Sequence, residues 1–234
     1  MLHIKTDAIV LSRINYQETD RILNVLTPNN GKVSLIAKGS RLMKSKLSGG
    51  IELFTINKIV YLKGRSEMGT IISARLDKNF PNIITSLDLV STGYEFLRII
   101  DRLTESNAED SYYNLLDNAL IALNDIKLNH NLIKFWFNCR LLSIYGHKPN
   151  LDTDKLGKKL QVDYQYDFDE YSMSFNKNSS GTYSANHIKF LRLVFMVKQP
   201  VVLANVSNYM ELINDLKSII TAATNFYLGI NDYQ

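Results

Sequence analysis

Arg21-Ile22-Leu23-Asn24-Val25-Leu26-Thr27-Pro28-Asn29-Asn30-Gly31-Lys32-Val33-Ser34-Leu35-Ile36-Ala37 decides the fold of the first third of the chain. The run from Arg21 to Thr27 is rich in Ile, Leu and Val, which suit a pleated, half-buried surface. Pro28-Asn29-Asn30-Gly31 presets or tolerates turn geometry. In the return segment Val33, Leu35 and Ala37 share one face, while Lys32, Ser34 and Ile36 share the other. The spacing predicts a β-hairpin. Outward from it lie Ala8-Ile9-Val10-Leu11, the apolar run Phe54 to Leu62 and the returning run Thr70 to Leu76. Lys63 to Gly69 is read as the turn between the last two. Several short strands with regular turns in about 80 residues predict a small closed barrel.

Between two of these strands runs Lys38-Gly39-Ser40-Arg41-Leu42-Met43-Lys44-Ser45-Lys46-Leu47-Ser48-Gly49-Gly50. It holds four cations and no acid. Residues 1–80 carry thirteen Lys and Arg against six Asp and Glu, net +7; the remainder carries fourteen against seventeen, net −3. A basic module joined to a mildly acidic remainder suits a polyanion such as nucleic acid. Lys38, Arg41, Lys44 and Lys46, with Lys32 nearby, are the candidate phosphate ligands, since Lys and Arg neutralise phosphates and release counterions. The competing reading is ordinary charge on a solvated loop. Tyr16, Phe54 and Tyr61 are aromatic candidates for base stacking or for packing.

From Pro81 onward the period changes. Leu87, Val90, Tyr94, Leu97 and Ile100 recur at helical steps, and Tyr113, Leu116, Leu120 and Leu123 repeat the pattern between Asp110 and Ile126. A third helix runs from Leu132 to Tyr145, stopped by Gly146 and Pro149. Ser184 caps a fourth, running to Lys198 before Pro200. Asn208 with Glu211 reads as a capping box for a last helix to about Leu228. Residues 161–176 interrupt this pattern. Val162, Tyr164, Tyr166 and Phe168 alternate with acids and Gln, and Tyr171, Met173 and Phe175 alternate again, which predicts an inserted β-ribbon.

Catalytic patterns are missing from the sequence. His3, His130, His147 and His187 are scattered, and no HExxH or P-loop motif occurs. The lone Cys139 excludes an intramolecular disulfide and reads as a buried thiol. Asp167 and Asp169 are read as an exposed ribbon edge. No metal site and no cofactor are expected. No stretch of eighteen apolar residues and no secretory leader pattern is seen, so a cytoplasmic location is expected.

The residues at this point resemble a known family. Asp7-Ala8-Ile9-Val10-Leu11, Glu18-Thr19-Asp20-Arg21-Ile22-Leu23, Gly31-Lys32-Val33, Ala37-Lys38-Gly39-Ser40-Arg41, Lys44-Ser45-Lys46-Leu47 and Leu53-Phe54 are similar, in order and spacing, to the N-terminal domain of the RecO recombination mediators. Glu95-Phe96-Leu97, Leu115-Leu116 through Leu120, and Leu141-Leu142 with Gly146-His147-Lys148-Pro149-Asn150-Leu151 resemble that family's helical domain. The resemblance implies an α+β chain with an OB-fold barrel over residues 1–80. A mostly helical domain would cover residues 81–234, with the β-ribbon at about 161–176. It implies no enzyme activity. Binding of single- and double-stranded DNA, strand annealing and help in loading the RecA recombinase on the nucleoid are implied instead. Implied partners are RecR and the acidic, apolar C-terminal tail of the single-stranded-DNA-binding protein. The family's barrel cations correspond to Lys38 and Arg41, with Lys44 and Lys46 adjoining. An acidic tail needs cations beside an apolar groove, and Arg98, Arg102, Lys134 and Arg140 are the candidates on the helices. Many relatives carry a four-cysteine zinc site after the Pro-Asn-Leu segment. Here Asp152-Thr153-Asp154-Lys155-Leu156-Gly157 has no cysteine, so zinc is expected to be absent and the aromatic ribbon to stabilise the insertion by packing. Two other readings compete: a metal-dependent nucleic-acid enzyme, and a scaffold that contacts protein only.

Overall fold

The computed structural model describes residues 2–64, 68–104 and 110–230. Five strands close a barrel: β1 (Leu2–Tyr16), β2 (Asp20–Thr27), β3 (Gly31–Ala37), β4 (Thr55–Lys63) and β5 (Gly69–Asn79), in the order β1-β2-β3-β5-β4. Neighbours are antiparallel except β3 and β5, which run parallel. This is the OB-fold barrel expected from the sequence, and the chain is α+β. The closing seam is short: among the described residues β3 meets β5 only at Leu35–Gly69 and Ile36–Thr70.

β1 makes closure possible. Leu2 to Ile9 pairs with β4, and Ile9 to Tyr16 pairs with β2. A bulge between Val10 and Ser12 bends the strand from one partner to the other. The expected short strand Ala8–Leu11 is thus the middle of a fifteen-residue one. The barrel core holds Ala8, Val10, Leu23, Val25, Leu35, Ala37, Ile59, Tyr61 and Ile71. Ile51 fills it from the loop between β3 and β4. On the opposite face of the sheet Ile9, Leu26 and Ile56 are also buried. They are covered because two helices, α1 (Leu87–Leu103) and α2 (Asp110–Leu123), pack on β1 and β2. The turn residues Arg65, Ser66 and Glu67 lie outside the described residues.

The chain divides into two compact units, residues 1–126 and 127–234. The expected boundary at residue 80 marks the change from strand to helix. The compact division falls later, because the first two helices bury the outer apolar face of the barrel. Gly93 of α1 lies against Phe54: a Cβ there would come within 2.7 Å of the ring.

In the second unit α3 (His130–Ile144) is buried on nearly every side, through Leu132, Ile133, Phe135, Trp136, Phe137, Cys139, Leu141 and Leu142. Two of its polar side chains bond to backbone carbonyls. Trp136 Nε1 donates to the Val197 carbonyl at 3.1 Å and Arg140 to that of Phe195 at 2.5 Å. Burial pushes the Cys139 thiol well above its ordinary pKa, as suits an inert buried sulfur. α4 (Ala185–Met196) and α5 (Tyr209–Leu228) complete the helices.

Two local expectations are corrected. Asn208 has φ +58° and makes no side-chain cap, so the Asn208–Glu211 capping box does not form; the Asn208 carbonyl takes the Glu211 N–H instead. The capping box is at α4, where the Ser184 N–H donates to His187 Nδ1 at 3.0 Å. The ribbon is shorter than the alternation suggests: β6 (Tyr166–Asp169) pairs with β7 (Ser174–Lys177). Val162 and Tyr164 are exposed, and positive φ at Met173 breaks the second alternation in the turn. Asp167 stays on the exposed side, whereas Asp169 folds back to accept the Tyr171 and Ser172 N–H groups. Those hydrogen bonds, that of Ser172 first, hold its carboxyl below the ordinary range.

Candidate nucleic-acid interface

Ala37 ends β3 inside the barrel, and the next residue, Lys38, is exposed. The loop from there to Phe54 carries the four sequence-selected cations Lys38, Arg41, Lys44 and Lys46, all exposed. It is held in one shape by its own hydrogen bonds. The Gly39 N–H donates to Asp20 Oδ1 at 2.8 Å and the Arg41 N–H to the Thr19 carbonyl at 2.9 Å. Arg41 also donates from its guanidinium to the carbonyls of Glu18 and Gln17, at 3.0 and 3.4 Å. The guanidinium has five N–H donors, so most remain for a phosphate. Gly39 sits at φ +62°, a conformation that costs glycine no Cβ clash. At the far end a Cβ on Gly50 would come within 2.5 Å of the Ala74 backbone, so only glycine lets the loop return this close to β5. The basic loop and the β1–β2 turn therefore form one rim. Exposed Tyr16 stands at the end of β1 beside that turn, and Leu42 and Met43 project between the cations of the loop. Phe54 and Tyr61 are buried packing residues.

Lys32 does not join this group. Its ammonium lies 3.1 Å from Asp101 Oδ1 and donates to the Asp101 carbonyl at 2.6 Å; its side chain is 15% exposed. The same carboxylate accepts from Ser12 and Asn24. Lys32 thus ties the barrel to α1. We expect Asp101→Ala to cost about 2–3 kcal/mol, because it removes the counter-charge of a mostly buried ammonium, leaving it only the backbone carbonyl, and takes the acceptor from Ser12 and Asn24. Chemical denaturation measures this. Lys32→Met should also lower stability, while DNA affinity stays within about twofold; a large affinity loss would return Lys32 to the phosphate ligands.

The four helix cations fall on different units. Arg98 and Arg102 are exposed on α1. Arg98 lines a cleft of about 390 Å³ with Leu11, Leu53, Tyr94 and Leu97. Lys134 and Arg140 are on α3, where Arg140 is engaged with the Phe195 carbonyl. Sequence reading did not select Arg13 and Arg21, which the fold brings to Glu52.

The residues after Pro149 do not fit a zinc ion. Asn150 Oδ1 accepts the Asp152 and Thr153 N–H groups, and Asp154 Oδ1 accepts those of Leu156 and Lys158. These side chains are spent on shaping the loop, and no thiolate is near them in sequence. Among the described residues no group of three or more His, Cys, Asp or Glu side chains is placed to hold a metal. No described helix is long and apolar enough to cross a membrane.

A family model described as "Recombination protein O N terminal" matches residues 1–80. The chain is 30% identical over 197 residues to the DNA repair protein RecO of Dehalococcoides mccartyi strain CBDB1, covering 81% of this chain and 77% of that one. The chain belongs to the RecO family. It is also similar to the DNA repair proteins RecO of Acetivibrio thermocellus (31% over 150 residues, 64% of this chain) and of Roseiflexus sp. strain RS-1 (32% over 153 residues, 63% of this chain). In those two the match spans little more than half of the relative, 59% and 51%. The matched N-terminal residues of this RecO-family chain are its barrel and the basic loop within it.

Proposed function

We propose that this RecO-family chain is a DNA-binding recombination mediator in the repair of DNA damage, acting by electrostatic grip and strand annealing rather than by catalysis. The observation that carries this is the rim itself. Lys38, Arg41, Lys44 and Lys46 are exposed on a hydrogen-bonded loop that contains no acid from residue 38 to 50. Phosphates of two strands held there are brought to high effective concentration, which speeds pairing. Charge contacts carry little sequence information, so binding is nonspecific. Tyr16 offers a stacking face for single-stranded bases. In this reading residues 1–80 are the DNA-binding domain. The helical residues 81–234 recruit RecR and the acidic tail of the single-stranded-DNA-binding protein, and the assembly assists recombinase loading on the nucleoid. Arg98 beside Leu11, Leu53, Tyr94 and Leu97 pairs a cation with apolar surface, as an acidic, apolar tail requires. Arg102, Lys134 and Arg140 are further candidates.

The test is a titration of a labelled oligonucleotide at several salt concentrations, with strand annealing followed in parallel. Log affinity should fall linearly with log salt, by about 0.7 for each single-strand phosphate neutralised. Three to four contacts give a slope near −2 to −3. A flat response would favour a scaffold that contacts protein only, and magnesium-dependent strand cleavage by pure protein would favour an enzyme.

A further inference from the structure

Arg13 and Arg21 stand on neighbouring strands at the mouth of the barrel. In the β1–β2 and β2–β3 registers Arg13 is opposite Leu23 and Arg21 opposite Ala37. Leu23 and Ala37 are barrel-core residues, so the two arginines lie on the inward-facing rows near their ends, with Asn15 beyond Arg13. Neither is solvated as a lone cation. The Glu52 carboxylate is hydrogen-bonded to Arg13 through one oxygen, and the other lies 3.8 Å from Arg21. Arg21 Nε is also aimed at Asn15 Oδ1, 3.4 Å away. Glu52 comes from the returning limb of the same loop whose outgoing limb carries Lys38 and Arg41. Next to it Ile51 is fully buried in the core, so the backbone is pinned and only the side chain is free to swing.

We propose that Arg13 and Arg21 form a second phosphate subsite at the barrel mouth, and that Glu52 occupies it in the free protein as an internal stand-in for nucleic-acid phosphate. The exposures fit exchange. The two arginine side chains are 31% and 23% exposed, whereas that of Glu52 is 46% exposed. The anion is the most accessible member of the three. One carboxylate on two guanidiniums leaves a surplus positive charge, which faces a strand already drawn to the loop. Such exposed pairs are individually weak, so a polyanion can displace the carboxylate. Glu52 then acts as a brake on affinity, keeping the mouth closed to isolated anions and open to a chain of phosphates. The inference rests on the reading of the adjoining loop as a phosphate-binding rim.

The experiment measures affinity of the full chain for a fluorescent twenty-nucleotide oligothymidylate at fixed salt. Glu52→Gln keeps a hydrogen-bonding side chain but removes the charge; it should tighten binding roughly three- to tenfold. Arg13→Ala with Arg21→Ala should weaken binding and lower the salt slope by about 1.4. In that background Glu52→Gln should have no effect, because the brake and its target act as a unit. A purely structural ion pair predicts the opposite sign: Glu52→Gln would leave binding unchanged or weaker in protein whose melt shows it folded, and that result overturns the proposal. A measurement on the unaltered protein covers a variant that does not fold. The NMR signal of the Arg13 Nε–H group should shift on saturation with the oligonucleotide, and a signal that stays put also overturns it. If Lys38→Ala with Arg41→Ala leaves affinity intact, the loop reading itself fails. If that pair loses affinity while Glu52→Gln is neutral, only the brake fails.

Discussion

Replacing Lys38, Arg41 and Lys44 together by alanine should lower affinity for a single-stranded oligonucleotide about a hundredfold at 0.1 M salt. The size follows from counterion release. Each phosphate contact contributes about 0.7 to the slope of log affinity against log salt, which at 0.1 M is roughly fivefold per contact. Three contacts multiply to about a hundredfold. The slope itself should fall by about 2, and annealing should slow with it. The fold should survive, because all three side chains are exposed and the loop is shaped by backbone groups of Gly39, Arg41, Leu42 and Ser45. Arg41 is the one with a local cost, through its bonds to the Glu18 and Gln17 carbonyls. Fluorescence anisotropy at two salt concentrations, with a thermal melt as control, measures both quantities. Unchanged affinity in folded protein would move the DNA site elsewhere and favour a scaffold that touches only protein.

The second large effect concerns the ribbon. Phe175 is fully buried, with Phe168 at 5.0 Å and Tyr183 at 5.7 Å between ring centroids, both edge to face. Tyr166, 2% exposed, exchanges backbone hydrogen bonds with Tyr183 at 2.8 Å and accepts the Gln161 N–H on its phenol oxygen at 2.7 Å. A Cβ on Gly181 would come within 2.5 Å of the Tyr166 backbone, so the segments are in direct contact. Phe175→Ala should destabilise the second unit by about 3–5 kcal/mol, the usual cost of emptying a buried aromatic site. Hydrogen exchange should show faster opening of residues 166–183, and the melting temperature should drop by roughly 10 °C. A chelator should leave the melting temperature of the unaltered protein where it is. Insensitivity to Phe175→Ala together with sensitivity to the chelator would reverse this account.

Much of the barrel was legible because its information is local. Alternation in Val33, Leu35 and Ala37, and the turn at Pro28 to Gly31, depend on neighbours one or two residues apart. The helix bounds were legible for the same reason, through steps of three and four residues and stops such as Gly146. The basic loop was visible as four cations without an acid. Local signals misled where one residue overrode the pattern: a left-handed Asn208 in place of a capping side chain, and a positive φ at Met173 cutting short the ribbon.

The sequence by itself determined the strand and helix inventory, the chemistry of the loop from Lys38 to Gly50, and the lack of cysteines for a zinc site. These follow from residue type and short-range period, which every conformation of the chain shares. Only the tertiary structure decided which partners within the chain Lys32, Arg13 and Arg21 take. Lys32 is joined to Asp101 across 69 positions, and Arg13 to Glu52 across 39. Such pairs form because closing the barrel and laying α1 across it bring distant side chains together; for the mostly buried Lys32 ammonium the opposite charge offsets its desolvation. No period in the sequence encodes that meeting.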